Sequence, residues 1–271
     1  MKKHLQHGTH RIRRRAFFST IQVARAVGVH PNTVRLYEQW GFLRHIPRNI
    51  SGYRLFTEAD IDQMRFARTA LHGGWPGHTM WRSALALVRQ AATGDLQGAA
   101  QLAEAHLALA QEERVQAESV VTVLERWAQH RAADTQSPTC HIGAAARILG
   151  VSPDSVRGWE RDGMVSVPRD VRGYRLFSQT EMDRLRIIRL LLRAGYSSMA
   201  VLRMLLRLDH GDTTNLRRNL DTPRDDEDPL SAADQWLTFL TEQEQRAHSL
   251  VLMLQRVNSR PAKPSTRTPG S

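Results

Sequence analysis

Asparagine, histidine, arginine and hydroxyl side chains recur in two short windows of this chain. These are the residue types that hydrogen-bond base edges and phosphate oxygens. Residues 28–38 read GVHPNTVRLYE and residues 150–160 read GVSPDSVRGWE, an offset of 122. Each window precedes an arginine-bearing stretch, PRNISGYRLF at 47–56 and PRDVRGYRLF at 168–177, offset by 121 with seven identities in ten. A one-residue deletion reconciles the offsets, and the register continues through Asp62 with Asp183, Arg65 with Arg186 and Arg68 with Arg189. The chain therefore contains a duplicated domain. No nucleophile–base grouping, phosphate-binding glycine loop or zinc-protease motif accompanies these windows, so an enzyme is not expected.

Charge points the same way. The 271 residues carry 38 Lys and Arg against 27 Asp and Glu, a net +11 that draws polyanions. It is distributed in blocks. Residues 1–15 hold six basic groups and no acid, 16–72 seven against four, and 140–208 twelve against six. Residues 95–134 hold three basic and seven acidic groups, and 209–256 five and ten. That alternation suits two polyanion-binding modules, each followed by a segment that faces something else. The single cysteine, Cys140, excludes an internal disulfide and any metal site needing two thiolates, and a small core residue is its expected role. His4, His7 and His10 lack thiolate or carboxylate neighbours, so no metal or other cofactor is expected. No apolar run approaches the roughly 18–20 residues of a membrane span, nor does a signal-peptide core follow the basic N-terminus, and a cytoplasmic location is expected.

Elements that could position these side chains are legible in each copy. In copy 1, Thr20 is the expected N-cap of a helix ended by Gly28, and Pro31 opens a second helix that stops near Trp40–Gly41. Copy 2 repeats this with Gly150, Pro153 and Gly163. Two short helices around a glycine turn are the helix-turn-helix signature. The stretches Phe42–Phe56 and Met164–Phe177 read as β-hairpin wings, and Thr57 with Asp60 and Ser178 with Glu181 as capping boxes of a further helix. Two stripes continue at heptad spacing: Ala103, His106, Ala110, Glu113, Ala117, Val120, Leu124 and Trp127, then Trp236, Leu240, Gln243, Ala247, Leu250, Leu254 and Val257. Two amphipathic helices packed on their own domains would show the same pattern.

The fold expected is mainly α, with two winged helix-turn-helix domains, each followed by a long coiled-coil-type helix. Its bounds are a basic disordered arm 1–15, copy 1 at 16–94, long helix 95–134, linker 135–139, copy 2 at 140–208, a loop and long helix 209–257, and a disordered tail 258–271.

These residues resemble the MerR family of bacterial regulators. The matches are Gly28 to Glu38, Arg48 to Arg54 and Gly74–Trp75, and Gly150 to Glu160, Arg169 to Arg175 and Gly195–Tyr196–Ser197. The resemblance implies a transcription regulator of double-stranded DNA that distorts its promoter, with RNA polymerase a candidate partner, no membrane partner and an inducer that the chain does not identify. It also implies pairing of the long helices, within one chain as a pseudo-dimer or between chains as a homodimer. The second helix of each pair would enter the major groove, exposing His30, Asn32 and Thr33 in copy 1 and Ser152, Asp154 and Ser155 in copy 2. Arg35 and Arg157 would reach a phosphate or a guanine. By resemblance, Arg48, Tyr53 and Arg54, and Arg169, Arg172, Tyr174 and Arg175, would hold the backbone. Tyr37 and Trp159 suit the core better than contact, and Glu38 and Glu160 suit holding an arginine. Asp154 suits capping its helix better than reading a base. Leu36 in copy 1 and Gly158 in copy 2 stand where the family has tyrosine, and Gly158 also costs about 1 kcal/mol of helix propensity, which weakens copy 2 or alters its partner. The remaining readings are an architectural, partition or recombination accessory protein that bends DNA, or a copy 2 that binds protein.

Overall fold

Glycine, proline and capping residues set the helix boundaries in a computed structural model that describes residues 17–72, 78–129, 138–222 and 235–259. The basic arm, the Gly73–Gly74–Trp75 turn, most of the linker, part of the loop after Asp221 and the tail from residue 260 lie outside the described residues. The chain is mainly helical. In copy 1, α1 is Thr20–Val27, α2 Pro31–Gln39 and α3 Glu58–Ala70. Then come α4, His78–Thr93, and α5, Leu96–Gln129. In copy 2, α6 is Ile142–Leu149, α7 Pro153–Arg161, α8 Gln179–Arg193 and α9 Ser198–Asp209. A short α10, Leu216–Asp221, precedes α11, Trp236–Asn258.

The first helix is capped one residue earlier than its sequence suggests. Ser19, not Thr20, is the N-cap, because the Gln22 amide donates to the Ser19 hydroxyl while the Gln22 side chain accepts from the Ser19 amide at 2.8 Å, closing a capping box. Gly28 and Gly150 end their helices in the left-handed conformation, at φ +71° and +62°. Both expected capping boxes of the third helices form: Asp60 accepts from the Thr57 amide and Glu181 from the Ser178 amide.

The wings differ from the expected hairpins. Each is a turn closed by one antiparallel bridge, Arg48 with Arg54 and Arg169 with Arg175, and no regular strand forms among the described residues. Only two residues separate each proline, Pro47 or Pro168, from Ile50 or Val171 at the turn, which leaves no length for a ladder, and proline contributes no N–H. A second bridge ties the residue before each copy's first N-cap to the end of its wing, Phe18 to Phe56 and Cys140 to Phe177. Cys140 is thus half-buried against the copy 2 core.

Contacts divide the chain into two units. Among the described residues, one comprises 17–72, 83–103 and 250–259, the other 78–82, 104–129, 138–222 and 235–249. In the first, Val23, Val34, Ile46, Phe56 and Met64 form the helix-turn-helix core. A second cluster packs Phe42, Phe66 and Ala70 with Leu87, Ala99, Ala103, Leu250 and Leu254. Copy 1 is thereby packed with the C-terminal end of α11. In the second unit, one core joins Val156, Phe177, Leu185, Ile188 and Leu205 of copy 2 to Ala117, Val121 and Leu124 of α5 and to Trp236 and Leu240 of α11. Copy 2 is packed with the C-terminal half of α5.

Within that second unit α5 and α11 run antiparallel. Ala110 packs with Ala247, Glu244 pairs with Arg114 at 2.5 Å, and Ala117 shares a core with Leu240. The start of α11 is fixed to copy 2 by close approach. The Trp236 indole donates to the Ala194 carbonyl at 2.7 Å, and a Cβ on Gly195 would fall 2.7 Å from the same ring. Asp221 of α10 accepts from the Leu237 and Thr238 amides and so caps α11.

His106 is buried on the α5 stripe at 1% exposure, and burial pushes its pKa down to about 4. The unfolded chain protonates this imidazole near 6.5, while the folded chain holds it neutral well below that. Because the unfolded state then binds the extra proton, stability must fall as pH drops through this window. We expect the urea midpoint to decline from pH 6.5 towards about 5. His106→Leu should flatten that decline, and an unchanged slope would contradict the assignment.

Candidate nucleic-acid interface

The candidate reading helices, α2 and α7, each open with a cap that occupies part of the polar set. In copy 1, His30 is the N-cap of α2, its Nδ1 accepting from the Asn32 amide at 3.2 Å. Asn32 and Arg35 are exposed, and Thr33 is half-buried. Arg35 has no ion-pair partner among the described residues, which leaves its guanidinium available to an anion. In copy 2, Ser152 caps α7 by accepting from the Ser155 amide, and the two hydroxyls bond to each other at 2.9 Å. Asp154 does not cap. It lies in the first turn, 87% exposed, and pairs with Arg157 at 2.5 Å. The two helices thus present different surfaces: a free cation beside an amide in copy 1, and an acid–base pair beside two satisfied hydroxyls in copy 2.

The wing arginines are less available than their sequence suggests. Arg54 donates to Glu38 at 2.6 Å and Arg175 to Glu160 at 2.5 Å, so both guanidiniums tie the wing to the reading helix. Arg48 and Arg169 donate to the Gly52 and Gly173 carbonyls across their own turns. Glu38 and Glu160 hold arginines in both copies. Tyr53 and Tyr174 are 73% and 62% exposed, so neither fills the wing's interior, although Tyr174 meets the His141 ring edge-on at 6.0 Å. The Arg172 side chain is exposed at the second tip. Tyr37 is half-buried against Phe42, and burial raises its phenol above the ordinary value against an opposing effect of Arg68. Trp159 is likewise packed on its core.

Sequence reasoning missed Arg44. It reads as a wing cation, but it pairs with the buried Asp60 at 2.6 Å. Burial alone would raise the Asp60 carboxyl, and the hydrogen bonds from Arg44 and Thr57 outweigh it, holding the group below its usual range. The signal lay in the Thr57–Asp60 capping box, since a buried carboxylate needs a charge partner. Copy 2 has Val165 and Ser166 around the corresponding place and makes no such pair.

Two short helices around a glycine turn, with a wing pinned back on the second helix, define a helix-turn-helix domain, and the chain builds it twice. The profile of the MerR HTH family regulatory proteins matches both copies, at residues 18–76 and 140–208. Both copies are MerR-type helix-turn-helix domains, set in tandem in one chain. The chain is similar to the HTH-type transcriptional regulator slr0701 of Synechocystis, with 43% identity over 18% of this chain and 36% of that one. It is also similar to the mercuric resistance operon regulatory protein of Bacillus cereus, with 37% identity over 21% and 43%. The chain thus spans less than half the length of these relatives. A solved structure of HiNmlR, a MerR family regulator lacking the sensor domain and bound to promoter DNA, aligns with 45% of this chain and 79% of its own. Its identity is 21% and its TM-score 0.29.

The wing's attachment can be tested without any ligand. Glu160→Ala releases Arg175, and exchange of the Leu176 amide, which donates to Pro168, should quicken roughly tenfold. Exchange at Val156 in the core should not change. Equal acceleration at both would mean that the pair supports the whole domain rather than the wing.

Proposed function

We propose that the protein binds double-stranded DNA as a MerR-type transcription regulator and that one chain supplies both halves of the DNA-binding pair. The observation that carries this reading is the tandem match to the family's domain in a chain whose two long helices, α5 and α11, run antiparallel where they pack together. A homodimer would take its two domains from two chains. Here the second domain and the second long helix follow the first in sequence.

Asn32 and Arg35 would read the major-groove edge in copy 1, where an amide pairs with adenine and a guanidinium with guanine. His30, Ser152 and Ser155 would act mainly by setting the helix start, with Thr33 beside them. Asp154 and Arg157 would read the second half-site as a pair. Tyr53, Tyr174 and Arg172 would meet the phosphate backbone. Arg48, Arg54, Arg169 and Arg175 would hold the wings in shape, an indirect role. The unlike reading helices favour unlike half-sites, about 34–36 Å apart if the units address successive turns of the duplex. Promoter distortion and contact with RNA polymerase belong to the same reading, as does a place in the cytoplasm. No described helix is long and apolar enough to cross a membrane.

A second reading, in which copy 2 contacts a protein, draws on the Asp154–Arg157 pair and on Gly158. DNase I footprinting on the DNA upstream of the protein's own gene separates the two. The main reading predicts one protected tract containing two unlike half-sites. Protection of a single half-site would favour the second reading, and no protection at any concentration would contradict both.

A further inference from the structure

An aliphatic side chain stands fully exposed at the tip of each wing. Ile50 is 107% exposed and Val171 105%, more than any other large hydrophobic residue among those described. They occupy the same position of the repeat, offset by 121. Their neighbours differ in chemistry, Asn49 and Ser51 in copy 1 against Asp170 and Arg172 in copy 2, yet both copies keep a β-branched aliphatic group there. A turn tip ordinarily favours Gly, Asn, Asp or Ser, and a scattered exposed aliphatic residue is unremarked by itself. The same group at the same rigid place twice calls for a partner.

Both tips are preorganised. The Asn49 side chain accepts from the Tyr53 amide, and the Gly52 amide bonds back to the Asn49 carbonyl. Asp170 accepts from the Arg172 and Tyr174 amides. Four wing arginines are engaged within the protein, with Arg172 at the second tip left exposed: Arg48 and Arg169 bond across the turn, and Arg54 and Arg175 bond to α2 and α7. In copy 1 this leaves Ile50 and Tyr53 as the large exposed hydrophobic side chains of the wing.

We propose that Ile50 and Val171 enter the minor groove of DNA and pack on its deoxyribose walls, one at each end of the bound site. This rests on the DNA-binding reading above and adds a contact that is neither a phosphate bond nor a base hydrogen bond. A minor groove about 6 Å wide admits one aliphatic side chain, and apolar residues are used as minor-groove wedges. Val171 and Ile50 carry no donor or charge, so they lend affinity and position but release no counterions.

The test uses the full chain and a short duplex that it selects from a random-sequence pool. The double variant I50S/V171S should bind about tenfold more weakly. The slope of log affinity against log salt should stay unchanged, because no charge is removed. Hydroxyl-radical protection of deoxyribose should fade at one end for I50S and at the other for V171S, while Ile50→Leu should restore both affinity and protection. Unchanged affinity of the double variant would overturn the inference and leave the DNA reading standing. Weaker binding with a reduced salt slope would also overturn it, since the tip would then act through phosphate contacts. If the native chain selects no duplex, the DNA reading fails and takes this inference with it.

Discussion

Alanine on α5 sets how closely other helices can approach it. Ala99 and Ala103 are fully buried in the cluster that holds Leu250 and Leu254, and Ala110 is fully buried with Ala247. An alanine stripe buries little area per residue, and its gain lies in letting backbones come close, which larger residues on the facing helix then exploit. Trp236, Leu240, Leu250 and Leu254 supply that bulk. The polar members of the two stripes mark where the packing is least apolar: His106 and Gln243 are each 1% exposed, and the Gln243 amide nitrogen has no hydrogen-bond partner. A buried polar residue costs stability and can fix one register among several. Each winged domain is packed with the end of the long helix that follows the other domain, and that is what the proposed single-chain pair depends on.

The duplication kept a mechanical design and changed the chemistry it presents. In both copies an αL glycine ends the first helix, a proline opens the second, and a wing arginine is locked onto a glutamate of the reading helix. The exposed residues at the reading-helix start diverge, from a free Arg35 to an Arg157 engaged by Asp154. Copy 2 has also acquired α10, whose Asn219 and Leu220 carbonyls accept from the buried Arg203, and whose Asp221 caps α11. Copy 1 passes from α4 to α5 through Gly94 and Asp95 alone. Divergence between the copies is therefore concentrated in exposed side chains and in the added α10, while the packing rules are shared.

How much was legible follows from where each signal resides. Helix ends were readable because Gly28, Pro31, Gly150 and Pro153 act through local backbone geometry, and the heptad stripes were readable because they repeat. The α1 cap was misplaced by one residue because Ser19 and Thr20 are both good caps, and only the reach of Gln22 decides between them. The wings were overread as hairpins because alternation implies strands, but their length does not allow a ladder. Arginine availability was legible only in part: Glu38 and Glu160 read as arginine holders, but not which arginine each holds. Whether Arg54 faces solvent or Glu38 depends on residues sixteen positions apart meeting in space, and a charge count does not carry that. Ile50 and Val171 escaped notice for the opposite reason: an aliphatic residue between arginines reads as wing core until its exposure is known.

The central claim is that one chain furnishes both DNA-binding halves, and the stoichiometry of the protein–DNA complex tests it most directly. Native mass spectrometry of the full chain on its footprinted duplex should give one chain per duplex across the protein concentrations that saturate the site. A complex that contains two chains at every saturating concentration would contradict the claim and return the long helices to pairing between chains.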